Sequence, residues 1–339
     1  MILMTTQRLE IKSLNTLLAS NKPFNFPRTS LSPKKLYGGR QSLTVDCFKP
    51  WSKLITISSL RLRDIRSLSG RKPTIATVDG DDDDNLRRLL QYVLWTAEAV
   101  YILWLFLLPY APGDPVWAIS SETVNSLVGL SLNFFFILPL ANSVGIHLLE
   151  ALVFHPMFEG LFNFVIGWTF MFAPLLFTDR KRDRYKWSLD VLWGLQMFLT
   201  NTFLIPYMAI RMNETDADRL SSKQSQLGSV MTNGAPVVGL LGGVVCLISA
   251  LWAFFGRTDS NFGSISDRWQ FLISYLGSER LAYAFIWDIC LYTLFQPWLI
   301  GDNLQSVRKS KVDLVNYLRF VPVVGLVAYL LFLDLDEEA

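Results

Sequence analysis

The sequence predicts an all-α, polytopic membrane protein with about seven transmembrane helices. Three observations predict it. Mean hydropathy is +0.31 and aromatic residues make up 14% of the chain, high for a soluble globular protein and ordinary for a helical membrane protein. Apolar segments of about 20 residues, the length that crosses a hydrocarbon core about 30 Å thick, recur from residue 89 to the C-terminus. Charge is divided as well. Of 31 Lys/Arg and 29 Asp/Glu, 14 and three fall in residues 1–77, leaving 17 against 26 and a formal charge of −9 for the rest.

Residues 1–77 read as a removable plastid transit peptide, rich in Ser and Thr with only Glu10, Asp46 and Asp64 as acids. A secretory signal needs an apolar core of about 7–15 residues, and Gln7, Arg8, Glu10 and Lys12 interrupt the run that starts at Met1. Pro23, Pro27, Pro33 and Pro50 and the segment's length suit a plastid better than the short amphipathic helix of a mitochondrial leader. A basic tail that stays attached is the alternative. Residues 78–88 form an acidic segment carrying Asp79, Asp81, Asp82, Asp83 and Asp84, 89–333 a transmembrane domain, and 334–339 an acidic tail. The expected location is a chloroplast membrane, thylakoid or inner envelope. The acidic balance after residue 77 argues against nucleic acid; the expected partners are the lipid bilayer and other plastid membrane proteins. Cys47, Cys246 and Cys290 form no disulfide framework and no CxxC zinc pattern.

The first span, 89–109, follows Arg87 and Arg88 and closes in Pro109-Tyr110-Ala111-Pro112-Gly113-Asp114. The second, 123–146, has Pro139 as its expected kink. The third, 157–178, stops at the charged run that starts with Asp179. The fourth, 189–210, carries Pro206. Residues 235–255, 281–300 and 317–333 complete the seven, with Arg319 at the edge of the last. Residues 141–156 contain no Lys or Arg and read as a connection, an interfacial helix or part of a span. By the positive-inside rule the basic run 180–186 and the group Arg308, Lys309 and Lys311 both belong on the stromal side. Seven single spans put them three crossings apart, on opposite sides. One extra crossing or one re-entrant segment reconciles them, and the sequence leaves the choice open.

Polar residues inside these spans are the candidate site. A carboxylate in hydrocarbon costs at least ~2.5 kcal/mol, so Glu98 in the first span and Asp288 in the sixth need an explanation. Tyr292 and Gln296 follow Asp288 at one-turn intervals and would extend it into a polar stripe. Asn133, Asn163, Gln196, Thr200 and Asn201 add hydrogen-bonding groups. Two readings stand side by side: polar glue between helices, or a site for a ligand, proton or pigment. Ala235, Gly239 and Gly243 fall four apart and predict a close-packed helix seam.

His147 and His155 would share a broad face if their segment is helical, with Glu150 three residues after the first and Glu159 four after the second. Two histidines cannot build the many-histidine cluster of a membrane di-iron enzyme, and a bis-histidine haem would use both. No Gly-rich phosphate loop, GxSxG elbow or HExxH is present. The sequence therefore assigns no catalytic residue, no metal ligand and no firm cofactor; carotenoid, chlorophyll and haem are the candidates. Pro109–Asp114 is echoed by Pro297-Trp298-Leu299-Ile300-Gly301-Asp302, the spacing of two interfacial helix stops or of a transporter's internal repeat.

Ile146-His147-Leu148-Leu149-Glu150-Ala151-Leu152-Val153-Phe154 and Ser278-Glu279-Arg280-Leu281-Ala282-Tyr283-Ala284, leading to Asp288, resemble pieces of the plastid family associated with neoxanthin synthesis. That family has an aromatic-x-His segment followed by an acid in one late span, whereas here the two pieces lie over a hundred residues apart. The resemblance implies a membrane enzyme acting on a carotenoid or other isoprenoid, with Glu98, His147, Glu150 or Asp288 as acid–base groups. The reading the sequence favours is a non-catalytic factor that assembles, stabilises or organises other membrane components; a small-solute or ion transporter using Glu98 and Asp288 is the third.

Overall fold

The computed structural model describes residues 79–147, 149, 152–214, 224–257 and 262–334. The expected transit peptide with Cys47, Glu150, and the tail after Asp334 lie outside the described residues. Among the described residues the regular elements are helices, and the extended pairing is a single bridge between Val307 and Leu333.

Helix α1 (Asp79–Ile102) runs on through a π-helical turn, Leu103–Leu107. It starts inside the acidic segment, because acids favour the positive end of a helix dipole. A bent pair follows, α2 (Ser121–Leu132) and α3 (Ile137–Ser143). Next come α4 (Pro156–Phe177), the short helices α5 (Leu189–Leu199), α6 (Asn201–Ile210) and α7 (Gln226–Asn233), and α8 (Ala235–Phe255). The chain ends with α9 (Ile265–Ser278), α10 (Arg280–Asp302), α11 (Val312–Leu318) and α12 (Val324–Leu331). Four helices are long and apolar enough to cross a membrane: Asp84–Leu107 within α1 and its extension, then α4, α8 and α10. The pair α2–α3, bent by 41°, makes a fifth if counted as one segment.

Helix α4 is the central pillar. It is apolar around its whole circumference, and such a helix must be buried by others; α5, α7, α8, α9, α10 and α12 all pack on it. Its seam with α8 is close because Gly167 and Gly242 face each other: a Cβ on Gly242 would lie 2.9 Å from the Gly167 carbonyl and collide with Met171. Gly239 and Gly243 line a second seam, against Leu330 and Val327 of α12, and Ala235 is buried at its start.

Contacts at the two ends of the pillar fix the direction of every segment. At the end marked by Asp179 lie Arg211 after α6, Asn303 after α10 and Thr178, which meets Tyr329 of α12. Arg87 of α1 donates to Met212 at the same end. The other end, marked by Glu159, holds Arg257 after α8 and, beside the loop after α1, Arg280. So α1, α4, α8 and α10 cross from end to end. The expected fourth span does not. Asp190, at the start of α5, accepts from Ser225, and Ser225 leads into Gly228, which packs on Phe177. Both ends of the α5–α6 segment therefore lie at the Asp179 end, and its tip at Thr200 (φ 41°) reaches the middle of α10. It is a helical hairpin that returns to the end from which it started.

The expected seventh span behaves alike. α11 starts after Lys311, α12 finishes at the Val307–Leu333 bridge, and the turn between them, with Val323 at φ 63°, lies on Gln296 of α10. The described residues from 121 to 155 also begin and end at one end. Glu122 lies within electrostatic reach of Glu279 at the Glu159 end, and the chain is back there at Leu152, whose carbonyl accepts from Arg257. The seven expected spans thus resolve into four long helices able to cross a membrane, two hairpins from the Asp179 end, and one bent pair that makes a fifth candidate if counted as one segment. Hydropathy cannot tell a crossing from a return, since both bury the same apolar length.

Broken backbone buried among helices must be hydrogen-bonded by neighbours. Asn163 of α4 does this for the α2–α3 break, accepting from Phe135 N at 2.7 Å. That break falls at Asn133–Phe136, ahead of Pro139, where a kink was expected. Gln296 does it for the α11–α12 turn, donating to the carbonyls of Arg319 and Val321 and accepting from Val323 N. Pro206 does not end α6, and Pro297 and Gly301 lie inside α10. The two copies of the Pro-aromatic echo are therefore unlike: one is a loop, the other the last turns of a helix.

Candidate functional site

Four carboxylates are buried among the described residues: Glu98, Glu159, Asp179 and Asp288. Two of them have an arginine. Asp179 and Arg211 form a bidentate pair at 2.8 and 2.9 Å with both side chains 0% exposed. Tyr207 and Asn303 also donate to Asp179, and Arg211 reaches on to Asp302, which Lys181 also pairs. Burial pushes the Asp179 carboxyl up, but the charge of Arg211 and the donated hydrogen bonds outweigh it and hold the group below the usual range. At the opposite end Glu159 takes two bonds from Arg257, one from Trp252 and one from Asn133.

Asp288 and Glu98 have no such partner. Asp288 is 2% exposed and accepts from Thr200 Oγ1 at 2.6 Å, Asn201 Nδ2 at 2.7 Å and Tyr101 Oη at 3.2 Å. All three neutral donors converge on Oδ1. Two come from the tip of the α5–α6 hairpin, one from α1. Glu98 lies one turn before Tyr101, and its Oε2 is buried without a hydrogen bond. Helices α1 and α6 run antiparallel, with Arg87 beside Met212 and Gln91 beside Ala209; carried two turns on, that register brings Glu98 level with Asn201 and Thr202. Further polar atoms without partners surround the hairpin tip: both amide atoms of Gln196, Oδ1 of Asn201 and Oγ1 of Thr202. Gln196 is one turn before Thr200, which takes its carbonyl, and its amide sits beside the Tyr292 hydroxyl without a well-formed bond.

The expected stripe of Asp288, Tyr292 and Gln296 exists on one face of α10 but serves three neighbours. Tyr292 bonds Thr169 of α4 at 2.6 Å, and Gln296 bonds Trp168 as well as the α11–α12 turn. The histidine pair is not assembled. The described residues between α3 and α4 are not helical, because the turn at Gly145 (φ 86°) ends α3. His147 is exposed there. His155 caps α4 through Nδ1, accepting from Met157 N, and stacks on Phe271 at 3.5 Å. Burial, with Arg268 nearby, pushes His155 down to about 4.

Sequence reasoning missed the two Arg–carboxylate pairs and Arg280, whose guanidinium donates to the carbonyls of Leu105, Leu108, Ala111, Pro112 and Gly113. The partners are far apart in sequence, so spacing gave no signal. Thr200-Asn201-Thr202, a polar run in the middle of an apolar segment, was the signal for the hairpin tip. No group of three or more His, Cys, Asp or Glu converges as a metal site among the described residues. Comparison with protein-family models, curated proteins and solved structures finds no match for this chain.

Proposed function

We propose that this chain is a multi-pass plastid membrane protein that moves a small cation, a proton or a metal ion, across the bilayer. The contrast among the buried carboxylates carries the reading. Glu159 and Asp179 are neutralised by arginines, whereas Asp288 and Glu98 are met only by neutral groups or by none. An acid in that position is neutralised by a proton or a bound cation. The acid also meets a re-entrant hairpin at mid-depth, and irregular backbone beside a polar site is how transporters expose an ion to either side. Residues 1–77 support the plastid. The orientation we propose puts the Asp179 end in the stroma, because Arg87, Arg88, the basic run 180–186 and the group Arg308, Lys309 and Lys311 all gather there.

Gln296 favours a second reading, a static organising factor, since both of its amide atoms are fully used between helices. One experiment separates the two. The purified full chain is reconstituted in sealed vesicles, and cation and proton flux are followed under an imposed gradient. Flux above that of empty vesicles supports transport; its absence in both directions supports the organising role.

A further inference from the structure

We infer that the tip of the α5–α6 hairpin and Asp288 form a binding site for one dehydrated alkali-metal ion, Na+ or K+. The inference rests on the reading above and names its cargo. Charge is the first argument. Asp288 is the one carboxylate bonded to Tyr101, Thr200 and Asn201, all neutral, so the direct ligand set offers a single negative charge. A monovalent ion balances it.

The ligand set is the second. Gln196 and Asn201 are each 0% exposed, and each leaves its amide oxygen unpartnered at the hairpin tip. A proton held on Asp288 leaves both amide oxygens unsatisfied; a cation that they share with the carboxylate, whose Oδ1 already accepts three hydrogen bonds, satisfies both. Amide, hydroxyl and carboxylate oxygens are hard ligands, and no imidazole or thiolate stands among them to suit a softer transition metal. Ca2+ takes about six to eight oxygens, including several carboxylates, and Mg2+ gives up its water reluctantly. The third argument is the helix end. α5 stops at Leu199 and aims the negative end of its dipole at the same place. Glu98, level with Thr202 on α1, stands beside this pocket and is placed to meet an ion that leaves it.

Equilibrium binding of radioactive Na+ and of Rb+, as a K+ surrogate, to the purified full chain tests the site, with choline chloride as the ionic-strength control. We expect saturable binding of about one ion per chain, and a thermal midpoint that rises with NaCl or KCl but not with choline chloride. Asp288→Asn and Gln196→Ala should each weaken the affinity at least tenfold. Their unfolding midpoints in choline chloride show that the variants are folded. Absence of saturable binding of either ion, or binding unaffected by both substitutions, overturns the site. Binding without flux would leave the site standing and remove the transport reading. Proton flux without alkali-metal binding would do the reverse.

Discussion

Arg211→Met should be the most damaging single change at the Asp179 end. Arg211 gives two hydrogen bonds to Asp179 and a third to Asp302, and the Asp179 and Arg211 side chains are fully buried. Methionine fills similar volume but leaves the Asp179 carboxylate with only neutral donors, Tyr207, Asn303 and a main-chain N–H. Breaking a buried pair by removing one partner costs about 3–5 kcal/mol, whereas replacing both with apolar groups is often neutral or stabilising. Asp179→Leu combined with Arg211→Met should therefore recover most of the loss. The assay is a double-mutant cycle on denaturant unfolding of the full chain in lipid nanodiscs, read by tryptophan fluorescence. A loss below about 1 kcal/mol for Arg211→Met, the range of exposed pairs, would refute the buried lock.

Three further outcomes follow from the same geometry. Gly242→Ala should lower the unfolding midpoint because its Cβ collides with Met171, while Gly194→Ala, inside α5 with open space at its Cβ, should raise the midpoint slightly. His155 titrates near 6.5 when unfolded and about 4 when folded. Between those values the unfolded chain binds the extra proton, so stability should fall as pH drops from about 6.5 toward about 4 and be flat above. His155→Asn keeps a capping acceptor without a titrating ring and should flatten the midpoint's slope with pH. Residues 1–77 fused to a fluorescent protein should carry it into plastids; import into mitochondria would sink the proposed location.

Much of the fold was legible because composition and length carry it. The long helices α1, α4, α8 and α10 fall where 20-residue apolar runs predict them. Glu98 and Asp288 were found for the same reason, as charges out of place in apolar surroundings. Direction was not legible. A segment such as 189–210 buries as much apolar surface returning as crossing, and what turns it back is one residue, Thr200, in a backbone conformation unavailable to a continuous helix. The conflict between the basic run at 180–186 and the group at 308–311 was the trace of that turn in the sequence. In the structure both groups lie at the Asp179 end. Pairings such as Glu159 with Arg257 depend on distant helices meeting, which local pattern does not encode.

The central claim is that Asp288 handles a moving cation instead of gluing helices together. Its most direct test is ion flux through Asp288→Asn at equal reconstituted protein. Asparagine keeps the shape and one oxygen for Thr200 and Tyr101, and intramembrane hydrogen bonds average about 0.6 kcal/mol, so the variant should fold and accumulate like the parent. The account predicts that its flux falls at least tenfold. Flux equal to the parent's, in protein that is normally folded, would contradict it.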